Sequence, residues 1–308
     1  MSITTSMRAT TGPVASARVV AERATRAAAA PRTAARKISA SLSSASSSFR
    51  GAKAALQASA ERRTAGRSRA LSVLAQGDRL DLDPDNASIL VCGGGGVALE
   101  VTRKLKNMGS WVWMLQRTEE RRAEIEGMMA VVSKGDAMDV ATVAKAFADM
   151  EEVDAVVSTI GGTTANPTAD SEGNMNIIKA ALEKGVRKFV LVTSIGTGDS
   201  KGATPEEVYE VLKPVLIEKE KAENLLMENA DKMQFVIIRP GGLKSEEKTG
   251  NAVLTEDKTI CGAVTRADVA EMVAKALFSD NANNKVLSCV DSNMIMESSP
   301  KEFEVFQL

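Results

Sequence analysis

The 308-residue chain contains no histidine and a single tyrosine, and aromatic residues make up only 3% of it. Without histidine, Ser-His and Cys-His nucleophilic catalysis are excluded, along with the commonest zinc ligand. Acid–base work would fall to Tyr, Lys, Asp or Glu. The three cysteines, Cys92, Cys261 and Cys289, are widely spaced and show no metal-ligand pairing, so they read as small buried hydrophobes. Cys92 alone stands beside a glycine cluster, where a thiol would be open to redox chemistry. No apolar stretch approaches the length of a membrane span, which leaves at most peripheral membrane association.

Acids are scarce in one region only. Residues 1–75 hold thirteen Lys/Arg against Glu22 and Glu61, among many Ala, Ser and Thr. That is the composition of an organelle transit peptide, without the apolar core of a secretory signal. Val73-Leu74-Ala75 resembles the small-residue processing site of plastid precursors, so the expected address is the chloroplast, with the mitochondrion as rival. The expected organisation is a disordered leader over 1–75, one domain over 76–300 and a tail over 301–308. Of 39 basic and 40 acidic residues, thirteen and two fall in the leader, so the remainder carries 26 against 38, a net charge near −12. Binding to nucleic acid or an anionic membrane needs a positive field and is disfavoured.

What the chain does have is an alternation of apolar runs with helical spacings. Ser88-Ile89-Leu90-Val91 leads into Cys92-Gly93-Gly94-Gly95-Gly96, and Val97, Val101, Leu105 and Met108 follow at helical intervals. Strand, glycine turn and helix in that order are how a βαβ unit receives a pyrophosphate, by close backbone approach and free N–H groups. Two registers compete. Gly93-x-Gly95-x-x-Ala98 fits the dinucleotide pattern, whereas Gly93-x-x-Gly96-x-x-Leu99 is the wider spacing of short-chain reductases and is broken by Leu99. Further strands are read at 111–115, 130–132, 153–158, 189–193 and 235–238, with helices over 140–150, 172–184 and 214–229. Continuous apolar strands suit a sheet buried on both faces, hence an α/β, doubly wound parallel sheet of Rossmann type with a small lobe after about residue 240.

Ligands of such sheets sit beyond the carboxyl ends of the strands. Gln116-Arg117-Thr118 ends the second strand, and Arg117 in place of an acid favours a 2′-phosphate, hence NADP(H) over NAD(H). Gly135-Asp136-Ala137 ends the third, where Asp136 either accepts from adenine or, like Asp139, caps a helix. Thr159-Ile160-Gly161-Gly162 ends the fourth, where the ribose and nicotinamide would pass. Ser194 and Pro240-Gly241 end the fifth and sixth.

At these residues the chain resembles the atypical short-chain dehydrogenase/reductases of the NAD(P)-binding, NmrA-like family. Within it the likeness is greatest to the Rossmann domain of the redox-sensing chloroplast inner-envelope translocon subunit and to small related plastid proteins. Gly185 to Ser194, Lys219 with Ala222-Glu223, Ile238 to Lys244 and Arg266-Ala267-Asp268-Val269-Ala270 carry the resemblance. It implies a Rossmann fold, NADP(H) and a plastid location, and no single reaction. Against the family's pattern, Val97 replaces a polar phosphate contact, and Leu99 would push the helix away from the first strand.

The family's reductases use Ser with Tyr-x-x-x-Lys. On Ala222-Glu223 the lysine is Lys219, Ser194 is the serine, and the tyrosine position is Val215. Tyr209-x-x-x-Lys213 matches the spacing six residues early, but Pro214 reads as the first turn of the next helix and would leave Tyr209 outside it. The leading expectation is a plastid NADP(H)-binding protein, redox-sensing or an assembly factor, with little catalysis and any protein partner docking on the folded domain. An NADPH-dependent reductase that needs no tyrosine is the alternative, and an assembly factor binding no nucleotide is the third.

Overall fold

The computed structural model describes residues 82–308. The transit peptide read over 1–75 lies outside the described residues. Strands Ser88–Cys92 (β1), Trp111–Gln116 (β2), Val131–Lys134 (β3), Ala155–Ser158 (β4), Lys188–Val192 (β5) and Gln234–Pro240 (β6) are parallel and lie in the order β3-β2-β1-β4-β5-β6. Because the chain reverses direction of travel between β1 and β4, their loops part there and leave a crevice at the carboxyl edge.

Alternate residues of each strand feed two separate cores. Ile89 and Val91 of β1 join Val157, Val190 and Val236 on one face, and Leu90 and Cys92 join Val156, Phe189 and Leu191 on the other. Helices cover both faces: Gly96–Asn107 (α1), Arg122–Gly127 (α2), Val140–Asp149 (α3), Asn174–Lys184 (α4), Glu206–Met227 (α5) and Arg266–Phe278 (α6). The doubly wound sheet and its two-sided burial are as expected from the continuous apolar runs.

Beyond residue 240 the chain does more than form a lobe. Gly242–Lys244 (β7) and Ala263–Thr265 (β9) make a small separate ribbon. Ala252–Thr255 (β8) and Lys285–Asp291 (β10) return to the main sheet, β10 parallel to β6 and β8 antiparallel at the edge.

Helix α5 corrects the sequence reading. It begins after Pro205, with Glu206 and Glu207 at its positive end, and runs through Pro214 rather than starting there. An interior proline costs about 3 kcal/mol; burial of Tyr209, Val215 and Leu216 on the same helix offsets that cost. Tyr209 is therefore inside α5, buried, with the Lys201 ammonium 4.7 Å from its ring centre.

Helices α1 and α6 pack together and are joined by charge. Lys104 of α1 donates to Glu271 of α6 (2.7 Å), which Lys248 (3.0 Å) and Lys275 (3.2 Å) also approach. The Lys104 hydrogen bond above all, helped by the other two ammonium groups, holds the Glu271 carboxyl down at about 2 against an ordinary 4.5. A folded-state value below the unfolded one gives stability that is complete above about pH 4.5 and is lost as the pH falls toward 2. Glu271→Gln should flatten that part of the acid-unfolding curve, followed by circular dichroism, while leaving the neutral-pH shape of the curve alone.

Candidate dinucleotide site

The glycine turn is held from behind by Gln116. This buried side chain at the end of β2 donates through Nε2 to the Gly93 carbonyl (2.6 Å). Gly93 lies at φ +135°, and a Cβ there would overlap Thr159 Oγ1. Thr159 is in turn fixed by its own amide, which donates to the Cys92 carbonyl (2.9 Å). The loops after β1 and β4 thus touch through a point where only glycine fits.

Gly95 is the N-cap of α1 and has no side-chain capping bond; a Cβ on it would meet nothing within 4 Å. Gly95 thus lines the cavity at the positive end of the α1 dipole, an arrangement suited to phosphate. The residues present therefore fit a pyrophosphate. The cavity in front measures about 500 Å³ and is lined by Gly93, Gly94, Gly95, Arg117, Asp136, Ala137, Thr159, Ile160 and Gly161, all singled out in the sequence. Gln116, Thr118, Glu120, Arg121, Met138 and Gly162 complete much of the remaining wall.

Arg117 is exposed at the end of β2. Glu119 is taken up by Arg122 (3.1 Å) and Lys134 (3.8 Å), while Arg117 and Arg121 have no ion-pair partner among the described residues. Two guanidiniums and the Thr118 hydroxyl are thus available at one end of the cavity. Asp136 accepts from the Met138 amide (3.0 Å) in an Asx turn, and Asp139 is the cap of α3, accepting from Ala141 (2.9 Å). Of the two carboxylates, only Asp136 lines the cavity.

Six residues singled out in the sequence stand elsewhere. Val97 is buried in the core against α6, so only its backbone faces the turn. Gly96 makes room for Arg266, whose Cδ would lie 2.8 Å from a Cβ at Gly96. Ser194 Oγ donates to the carbonyl of Ile195 (3.0 Å), its own loop. Pro240 is buried and accepts the Ile195 amide (3.0 Å). Gly241 lets β7 pass Gly262, whose carbonyl oxygen a Cβ would overlap. Lys219 is turned onto Asp170 (2.5 Å).

Two residues questioned in the sequence lie in the interior. Leu99 is buried in the core shared by α1 and α6 and does not line the cavity. Cys92 is fully buried, and burial pushes its thiol up, as burial pushes that of Cys289 up to about 12. Among the described residues no group of acidic or thiol side chains is placed to hold a metal.

A family model described as NAD(P)H-binding matches residues 93–280. The chain belongs to this NAD(P)H-binding family. It is 29% identical over 186 residues to the uncharacterized sugar epimerase YhfK of Bacillus subtilis, covering 58% of this chain and 80% of that one. It is 34% identical over 126 residues to an uncharacterized chloroplastic protein of Arabidopsis thaliana, 39% of this chain and 44% of the relative. To the chloroplastic protein TIC 62 of Pisum sativum it is 27% identical over 229 residues, 64% of this chain and 41% of the relative. The chain thus spans less than half the length of these two plastid relatives.

Among solved structures it is similar to ChuY, an anaerobillin reductase from Escherichia coli O157:H7, at TM-score 0.60 and 27% identity over 67% of this chain and 97% of that one. A short-chain dehydrogenase/reductase from Veillonella parvula in complex with NADP matches at TM-score 0.54 and 16% identity over 70% and 99%, which speaks to the fold alone. The resemblance read from the motifs stands: this NAD(P)H-binding domain is Rossmann-like and related to plastid proteins and to reductases. The family and the cavity together make its ligand class a nicotinamide dinucleotide. No helix among the described residues is long and apolar enough to cross a membrane.

Proposed function

We propose that the chain is a plastid NADP(H)-binding protein whose output is nucleotide occupancy rather than turnover. The observation that carries this reading is a glycine-lined cavity at the carboxyl edge of the sheet beside a missing acid. Gly93 to Gly95, Thr159 to Gly161 and the amides of α1 would hold the pyrophosphate and ribose region. The tyrosine position is Val215, which is buried, and Tyr209 does not line the cavity. Ser194 is spent on its own loop. A protein partner would dock on the folded domain. The chloroplastic relatives support the plastid address, in agreement with the acid-poor leader.

The bound form is NADP(H) in this reading, because Arg117 and Arg121 are available where NAD-specific sheets place an acid for the ribose. One charge-assisted bond is worth about 1.5–3 kcal/mol, or roughly ten- to a hundredfold in affinity. Calorimetric titration should therefore find NADPH at least about tenfold tighter than NADH, and Arg117→Glu should abolish that preference. Equal affinities would remove the NADP(H) assignment, and no binding of either would remove the whole reading.

Similarity to ChuY over 97% of its length supports a second reading, an NADPH-dependent reductase whose substrate takes its proton from water or a lysine. Saturable, substrate-dependent loss of NADPH absorbance with quinones, flavins, enones or linear tetrapyrroles would favour it over the first.

A further inference from the structure

Behind Gly161 and Gly162 lies a carboxylate that the cavity never sees. Asp170 is fully buried, yet its two oxygens face two different parts of the site. Oδ2 accepts the Gly162 amide (2.7 Å) and Oδ1 accepts the Lys219 ammonium (2.5 Å). A Cβ on Gly161 would stand 3.3 Å from Asp170 Oδ1 and 3.5 Å from Lys219 Nζ, so this wall of the cavity rests directly on the ion pair. The Lys219 side chain is itself only 13% exposed.

Asp170 sits in a π-helical turn, Ala169–Gly173, that precedes α4, and such turns are rare and frequently found at functional sites. The Asp170 carbonyl accepts from Asn174 Nδ2 (2.8 Å), which also reaches the Ile160 carbonyl (3.2 Å), and Asn174 Oδ1 accepts from Ser158 Oγ (2.5 Å). The loop after β4 is thus tied at Ser158, Ile160 and Gly162 to one turn of chain, and through Asp170 to α5. A buried carboxylate is costly unless paired. Among the described residues its ionic partner is Lys219, the lysine that the sequence aligns with the reductase lysine.

We propose that Asp170 is the positioning residue for the nicotinamide half of the cofactor, fixing the Gly161-Gly162 wall and the Lys219 ammonium with a single carboxylate. This rests on the dinucleotide reading above and deepens it. The adenosine half, served by Arg117, Arg121 and Asp136 after β2 and β3, lies on the other side of β1 from the Gly161-Gly162 wall.

The test separates the two halves with two ligands, NADPH and 2′,5′-ADP, the second lacking the nicotinamide end. By calorimetry, Asp170→Asn is expected to weaken NADPH tenfold or more while 2′,5′-ADP stays within twofold of wild type. The paired replacement Asp170→Asn with Lys219→Met leaves no lone charge, should show the same split and serves if Asp170→Asn fails to fold, and Lys219→Arg alone should keep most of the NADPH affinity. Unchanged NADPH binding in a folded Asp170→Asn or doubly substituted protein overturns the proposal. An equal loss for both ligands overturns it too, since that would mark the pair as general support. Failure of wild type to bind either ligand overturns the dinucleotide reading itself, and the proposal with it.

Discussion

Glu223→Ala should cost the fold about 3–5 kcal/mol, the penalty for stranding one member of a buried ion pair. The stranded member is Arg239, 3% exposed in β6, whose Nη2 and Nε reach the two carboxylate oxygens at 2.6 and 3.2 Å. Glu223, 1% exposed near the C-terminal end of α5, also accepts from Thr193 Oγ1 (2.6 Å), so the carboxylate joins the end of β5 to the last turns of α5 and the end of β6. Asp199 accepts from Arg239 at 2.5 Å and is itself met by Lys258, but it is half exposed and cannot compensate a buried guanidinium. Single-domain stability is about 5–15 kcal/mol in total, so the effect is large and would appear as a lower urea midpoint at similar slope. The paired replacement Glu223→Leu with Arg239→Met leaves no lone charge and should recover most of the loss. A cost under about 1 kcal/mol for Glu223→Ala would show that water reaches the arginine.

Most of the cavity was legible because its residues lie where strands end, and strand ends can be read from short apolar runs. Gly93 to Gly95, Arg117, Asp136 and Thr159 to Gly161 needed nothing beyond that rule. What stayed hidden has long-range causes. Lys219 was legible as a motif lysine, but its partner Asp170 is 49 residues away and nothing local marks it. Arg266 was legible as a family feature, whereas its place over Gly96 follows from the packing of α6 on α1. The glycine loop gave two registers because both Gly95 and Gly96 lack side chains for different reasons, one to leave open space and one to admit an arginine.

The misjudged elements were those in which tertiary burial outweighed a local signal. Pro214 is a strong helix-start residue, and Pro205-Glu206-Glu207 is another; only the burial of Tyr209 beside Leu216 decides that one helix spans both. β8 is four residues long and antiparallel at the sheet edge, too short for periodicity to reveal. β10 carries Ser288 and Asp291 within its apolar run, and both are buried because Ser288 donates to the Asp257 carbonyl (3.1 Å) and Asp291 accepts from Thr249 (2.5 Å) and the Asn293 amide (2.8 Å).

Gly93→Val should lower NADPH affinity on the order of a hundredfold or more, about 2.8 kcal/mol. Two costs act together there. A branched residue at φ +135° is strained by about 1–3 kcal/mol, and its Cβ overlaps the Thr159 hydroxyl. Thr159 has little room to retreat, because its amide is bonded to Cys92 and the loop beyond it to Asn174. The strain must therefore spread into the two loops that form the cavity walls. Loss of binding by Gly93→Val does not, however, separate a distorted fold from a blocked ligand. Gly95→Ala does: Gly95 has an ordinary extended backbone, φ −83° and ψ 176°, and open space where the methyl would go. Its stability should fall by less than about 1 kcal/mol, the difference between alanine and glycine at an N-cap, and its melting temperature should barely move. If that space is where the phosphates lie, the same methyl should still cost about tenfold in NADPH affinity. Wild-type affinity in Gly95→Ala would mean that the amides of α1 face solvent rather than a pyrophosphate.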